Sequence, residues 1–241
     1  MTAKNPPAPR LRGLVTDVDG TITDPHRRIH TGAIEAIRAL VDHGVEVVLA
    51  SGNTACFMDA LCRMLGTRGI FIAENGAVYR TGYSVSPVAI ADGASHRDAL
   101  DAVVRHFRER GLEIEHYSLP YRFVDVAFAR TVPVDEVREV VRRFPVEVLD
   151  TGFAIHLQPL GVTKGLGFSA LARDTGMDTR EFLAVGDAEN DVELLERAGV
   201  GAAVGNAGPE VARAAEWVSE KKYGDGFVEA ITRYFPYFLE R

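Results

Sequence analysis

Short apolar runs that stop at an acid or a glycine alternate, over two long stretches of this 241-residue chain, with segments of helical periodicity. Residues 11–17 (LRGLVTD) are one such run, and Gly20 supplies a turn just beyond it. Residues 31–43 carry Ile34, Ile37, Leu40 and Val41 at helical spacing and are closed by Gly44. A strand is predicted over 45–50, a helix over 54–65 and a strand over 69–73. Strands separated by helices of roughly a dozen residues need crossover connections, and so predict a parallel sheet with helices on its faces.

The rhythm breaks after Asn75-Gly76. Residues 84–90 read as a strand and 95–110 as a charged amphipathic helix. Strands are predicted over 112–116 and 122–129, a second helix over 133–144, and two more strands over 146–149 and 153–157. Alternation then resumes, with helices over 163–173, 191–198, 209–215 and 226–239 and strands over 182–185 and 200–204. The fold class is α/β: a Rossmann-like parallel-sheet core over 11–81 and 159–241, interrupted by a smaller α+β domain over 82–158. The Pro-rich opening, residues 1–10, reads as a disordered tail.

Composition narrows the function. Lys and Arg number 27 against 34 Asp and Glu, a net charge of −7, which speaks against a protein that grips nucleic-acid phosphates. No stretch reaches the roughly 18 apolar residues of a membrane span, and no secretory leader is recognisable. Cys56 and Cys62 lie in an apolar helical stretch without metal-type spacing and read as two reduced thiols. The seven His are scattered, with His26 and His30 in a polar, Arg-rich stretch, so no zinc site is expected. The expectation is a cytoplasmic protein with no nucleic-acid or membrane partner, a monomer or a homodimer.

Chemistry concentrates where strands end. Asp17-Val18-Asp19-Gly20-Thr21-Ile22-Thr23 follows the first strand, at the edge where open parallel sheets bind ligands. Period-two geometry sends Asp17 and Asp19 to the same side if the chain stays extended there. Two carboxylates so close repel, and a hard cation or a shared proton relieves them. A calcium loop fails on spacing, because its turn Gly would fall at Ile22 and its Glu at Arg28. Gly186-Asp187-Ala188-Glu189-Asn190-Asp191 repeats the pattern after a second strand, where acids also complement a helix N-terminus. Ser51-Gly52-Asn53-Thr54 follows a third strand and opens a helix, a ready anion cradle whose Gly52 and Asn53 amides face outward. Lys164 opens the helix that returns the chain to the sheet. A GxGxxA run at 165–170 stands too far from its candidate strand to pack a dinucleotide.

Taken together, DVDGTIT at 17–23, the Ser51-Gly52-Asn53 turn, Lys164 and GDAEND at 186–191 resemble, in identity and order, the haloacid dehalogenase-like phosphohydrolase superfamily. An α+β insert between the Ser51 and Lys164 elements is similar to a type IIB cap. SGNT followed by IAENGA is most similar to the archaeal-type phosphoglycolate phosphatases, while sucrose-phosphate phosphatases and phosphomutases share much of the frame. The resemblance implies a Mg²⁺-dependent phosphatase acting on a small-molecule phosphomonoester, with 2-phosphoglycolate the first choice. It implies Asp17 as nucleophile, forming an aspartyl-phosphate, and Asp19 as general acid and base. Ser51, Gly52, Lys164 and Asn190 would bind substrate. Mg²⁺ would sit on Asp17, the Asp19 main-chain carbonyl and Asp187, with Asp191 a ligand or one layer behind. Members that break carbon–halogen bonds need neither the metal nor the second acid, so Asp19 favours phosphoryl chemistry. A non-catalytic nucleotide-binding module is the remaining alternative. Arg97, Arg105, Arg122 and Arg130 are the candidates for reading a substrate carboxylate from the cap.

Overall fold

The structure, a computed structural model, describes residues 10–239, so the predicted tail lies outside the described residues except for the exposed Arg10. In chain order the core begins with β1 (Gly13–Asp17), α1 (Thr31–Asp42), β2 (Glu46–Ala50), α2 (Ala55–Leu65), β3 (Ile70–Ala73), β4 (Val78–Thr81) and β5 (Val88–Ala89). The insert holds α3 (Ala94–Arg108), β6 (Val126–Ala129), α4 (Val134–Val141), β7 (Val146–Asp150) and β8 (Ala154–Pro159). The core then resumes with α5 (Lys164–Thr175), β9 (Phe182–Gly186), α6 (Val192–Arg197), β10 (Val200–Ala203), α7 (Pro209–Ala214), β11 (Trp217–Val218) and α8 (Tyr223–Leu239).

The large sheet runs β11-β10-β9-β1-β2-β3-β4-β5. Strands from β11 to β3 are parallel, while β4 and β5 add an antiparallel edge. Successive β1 residues face opposite sides of the sheet and enter different cores. Leu14 packs with Ile37 of α1, Met58 of α2 and Phe227 of α8. Val15 packs with Phe168 and Leu171 of α5 and Leu194 of α6. Both faces are thus covered, as a parallel sheet requires. Strand order reverses at β1, with β2 on one side and β9 on the other, and this switch point opens a crevice at the carboxyl ends. Register carries Asp17 level with Ala50, and Thr16 level with Val185. Residues that follow β1, β2 and β9 therefore emerge at one edge.

The smaller sheet, β6-β8-β7, is antiparallel. Phe128, Ile155 and Leu157 point to α3 and α4, burying Val103, Phe107, Val137 and Val141. Their neighbours Ala127 and His156, paired across β6 and β8, occupy the opposite face and look toward the core edge.

Three predicted strands differ, and the one expected over 122–129 forms only over Val126–Ala129, because the Glu74 carboxylate takes the backbone N–H groups of Phe123, Val124 and Asp125. Residues 112–116 form no ladder; they lie along β6 through a lone His116–Phe128 bridge and the Ala129 N–H bond to the Glu115 carbonyl. Leu112 and its acidic neighbours stay largely exposed, so no apolar face fixes a register. The strand predicted over 84–90 shrinks to Val88–Ala89 and pairs with β4 at the edge of the large sheet, so the core runs past the expected boundary at residue 81 and the insert begins after β5.

The glycines at 165 and 167 serve helix docking. A Cβ at Gly167 would stand 2.7 Å from the Gly76 carbonyl oxygen and 2.8 Å from its Cα, and one at Gly165 would meet Glu193 Cγ at 2.7 Å. Gly76, at φ +105°, in turn lies against the Thr163 carbonyl. The start of α5 is therefore seated on the 74–76 turn. Replacing Gly by Ala inside a helix ordinarily stabilises by about 0.5–1 kcal/mol. Gly167→Ala is expected to destabilise instead, by about 1–3 kcal/mol from overpacking against immovable backbone. Chemical denaturation checks this, and a raised midpoint would contradict the close packing.

Candidate active site

Asp17, the last residue of β1, is buried. Its Oδ1 accepts from Lys164 Nζ at 2.6 Å, while its Oδ2 is equally buried and has no hydrogen-bond partner among the described residues. Lys164 is fully enclosed, with its second contact 2.7 Å from Asp191 Oδ1. The other oxygen of Asp191 accepts the backbone N–H groups of Asp187 (3.0 Å) and Ala188 (3.1 Å). Both Asp191 oxygens are thus occupied in holding the lysine and the loop after β9.

Asp187 is aimed by two neighbours: Thr21 Oγ1 donates to its Oδ1 at 2.9 Å, and Asn206 Nδ2 to its Oδ2 at 3.1 Å. Asn206 also holds the Gly20 carbonyl at 3.0 Å. Gly20 takes φ +92°, and any Cβ there would run into the Asp187 carboxylate, so this turn needs glycine.

Oxygens of Asp17, Asp187 and Asp191 lie within 4.8 Å of one another. Burial and the charges of Asp191 and Asp187 push Asp17 well above the usual carboxylate range, against the pull of Lys164. Burial, with Asp191 beside it, lifts Asp187 to about 7. For Lys164, burial opposes the charge, but Asp17 and Asp191 outweigh it and hold its proton more tightly than usual. One ammonium thus faces three carboxylates, and one buried oxygen has no donor. That combination of hard oxygen donors, excess negative charge and an unsatisfied atom fits a divalent cation.

Asp19 lies beyond the strand end, in the turn, and its carboxylate is not in that cluster. Its Oδ1 accepts from Arg27 Nε at 2.9 Å and its Oδ2 from Asn53 Nδ2 at 2.7 Å. It nonetheless lines the same cavity as Asp17. Asn53 is a joint of the site: its side chain also donates to Ser51 Oγ at 2.9 Å, and its backbone N–H does so at 3.1 Å. The Asn53 amide, expected to face outward, is therefore spent inside the turn. Ser51, buried, keeps its own O–H to donate. The Gly52 N–H donates to no group among the described residues. Asn190 donates to Asn75 Oδ1 at 3.0 Å, and Asn75, held at φ 53°, reaches His156 of the cap at 3.3 Å.

The cavity, about 340 Å³, lies between this edge and the cap, which contributes Tyr117, Ser118, Arg122, Thr151, Phe153 and His156. The four cap arginines do not fall out as expected. Arg130 is paired with Asp150, Arg97 reaches the Arg122 carbonyl, and Arg105 is exposed on α3. Arg122 does line the cavity, but its guanidinium is spent on the Tyr117 carbonyl (3.0 Å), Asp125 and the Gly52 carbonyl (3.3 Å). It straps the cap to the Ser51–Asn53 turn. A second strap comes from buried Glu74, whose carboxylate accepts the backbone N–H groups of Phe123, Val124 and Asp125 at 2.8–3.0 Å. Burial and the nearby Asp125 raise Glu74 to about 7.

Fold and site together define a capped α/β protein, with acids and a lysine gathered at the carboxyl edge of its parallel sheet. A family model described as haloacid dehalogenase-like hydrolase matches residues 14–143 and 147–231, and the chain belongs to that family. It is 56% identical over 233 residues to a protein of Methanoculleus marisnigri named phosphoglycolate phosphatase, covering 96% of this chain and 100% of that protein. A protein of the same name from Methanospirillum hungatei is 45% identical, with 96% and 100% covered. Among solved structures, one from Thermoplasma acidophilum superposes with a TM-score of 0.83 at 25% identity, covering 93% of this chain and 98% of that one. A sugar phosphatase described as subclass IIB shares the fold, with a TM-score of 0.74 at 19% identity over 93% and 99% of the two chains. The expected core with an inserted α+β cap is the architecture of this family. Among the described residues no helix is long and apolar enough to cross a membrane.

The raised Asp187 has a consequence for stability. Its folded pKa, about 7, exceeds that of an unfolded carboxyl, so its favourable contribution is full at low pH and is lost as pH rises through 7. A bound cation needs the ionised form and offsets that loss. The thermal midpoint of chelator-treated protein is therefore expected to fall between pH 6 and 8, with Asp187→Asn flattening the slope. Added divalent cation should raise the midpoint more at pH 8 than at pH 6. Identical midpoints with and without cation at both pH values would contradict the site.

Proposed function

We propose that the chain is a Mg²⁺-dependent phosphatase of small phosphomonoesters, 2-phosphoglycolate first among them, working through an aspartyl-phosphate at Asp17. The observation that carries this reading is the state of Asp17: one oxygen fixed by a buried lysine, the other unpartnered, both beside a cavity that Asp19 also lines. The names of the archaeal relatives support the substrate.

Asp17 attacks phosphorus, the P–O bond to the leaving group breaks, and Asp19 gives its proton to the departing alkoxide. Asp19 then takes a proton from water, which attacks phosphorus, releases inorganic phosphate and restores the Asp17 carboxylate. Asn53 and Arg27 hold Asp19 in place for both transfers. Lys164 spends two of its three N–H donors on Asp17 and Asp191, leaving one for a phosphoryl oxygen. The Ser51 hydroxyl and the Gly52 amide hold the others. Mg²⁺ would be held by Asp17, Asp187 and the Asp19 main-chain carbonyl, with Asp191 orienting Lys164 and the loop. When bound it supplies the positive charge that lets a carboxylate approach a phosphate dianion. With the cap strapped down, bulk water is kept from the phosphoryl group.

The purified protein should release phosphate from 2-phosphoglycolate, lose activity with chelator and regain it with Mg²⁺. Asp17→Asn is expected to lower kcat by about 10⁴ or more. Asp19→Asn should lower it by about 10²–10⁴ while keeping the cation-dependent gain in thermal midpoint. An active Asp17→Asn protein would overturn the covalent route, and a rearranged sugar phosphate appearing without free phosphate would put a mutase in its place.

A further inference from the structure

Three cations line the cavity. The one N–H donor that Lys164 keeps goes to the phosphoryl group, and Arg122 is tied to Asp125, Tyr117 and Gly52. Arg27 is different. Its Nε donates to Asp19 Oδ1 at 2.9 Å, while its two terminal amino groups donate to no group among the described residues. Its side chain is half exposed and lines the cavity.

Its placement is built in. Arg27 sits at φ 61°, a left-handed conformation that a long side chain adopts at a cost. The loop that imposes it is pinned by Asp24, whose Oδ1 accepts the backbone N–H groups of His26 (2.8 Å) and Arg28 (3.0 Å). The Arg27 N–H closes the turn on the Asp24 carbonyl at 2.9 Å, and a Thr23–Ile29 bridge holds its base. From the cap, the Phe153 ring stands 5.3 Å from the guanidinium carbon. Core loop and cap thus fix one guanidinium beside Asp19.

We propose that Arg27 is a specificity-determining residue that binds the carboxylate of the leaving group, so that the site selects esters whose phosphorylated carbon also bears a carboxylate. This rests on the phosphatase reading, which places the ester oxygen at Asp19. A carboxylate on the adjoining carbon then falls next to the free end of the same planar fork, which binds carboxylates with paired N–H groups. Charge demands such a partner. The edge already holds Asp17, Asp19 and Asp187, and a substrate with a phosphate and a carboxylate adds more negative charge than Lys164 and one divalent cation neutralise.

The test compares kcat/KM for 2-phosphoglycolate and for glycerol phosphate, whose tail is neutral, in wild type, Arg27→Gln and Arg27→Lys. Losing the contact to Asp19 lowers both substrates. Losing the carboxylate contact lowers 2-phosphoglycolate by a further factor of about 10–100, so the selectivity ratio falls by that factor in Arg27→Gln and by less in Arg27→Lys. An unchanged ratio with both activities reduced would leave Arg27 as a positioning residue for Asp19 alone and overturn the inference. A wild-type protein that releases phosphate from neither ester would overturn the phosphatase reading and this inference with it.

Discussion

The site is organised around an imbalance of charge inside the fold: one enclosed ammonium, on Lys164, between Asp17 and Asp191, with Asp187 close by. Asp17 ends the first strand, whereas Lys164 and the two later acids belong to the segment that follows the insert. The ion pairs therefore join the two halves of the core across the insertion. A buried charge is tolerated only where partners and hydrogen bonds offset its desolvation. Asp191 meets that condition completely, with three donors on two oxygens. Asp17 meets it by half: its second oxygen is buried and has no hydrogen-bond partner among the described residues.

Around that centre the structure fixes orientation by contacts among side-chain amides, carboxylates and backbone carbonyls. Gly20 admits the Asp187 carboxylate, Asn206 ties that carboxylate to the Gly20 carbonyl, and Asn53 links Ser51 to Asp19. The cap joins the same network through Arg122 on Gly52 and Glu74 on residues 123–125. The Ser51–Asn53 turn is also held from within the core, by the Ser51 N–H on the Ile72 carbonyl and by the Asn75 and Glu74 N–H groups on the Ser51 and Asn53 carbonyls.

Much of this was legible in the sequence, for a physical reason. Asp17, Ser51 and Asp187 follow short apolar strands, and parallel strands bring their carboxyl ends to one edge whatever the helices between them. Period-two alternation was less useful at Asp19, because the chain turns at once and the carboxylate swings to Arg27 and Asn53. Residues whose role depends on a distant neighbour escaped: Asn206 in a Gly-flanked turn after β10, Glu74 beneath the cap, and Arg27 in a loop that reads as merely basic. The cap arginines illustrate the same limit. The sequence offered four cations, and the fold commits Arg122 to two carbonyls and an aspartate and pairs Arg130 on the surface. In the insert, 112–116, expected as a strand, has no buried face to hold it in a ladder.

The most direct measurement is a crystal structure of the protein soaked with Mn²⁺, read by its anomalous signal together with a phosphate mimic. The account expects one strong peak bridging the Asp17 and Asp187 carboxylates, with the mimic between that ion, Lys164 and Ser51. An empty cluster, or a peak remote from Asp17 while the mimic still occupies the cavity, would contradict it.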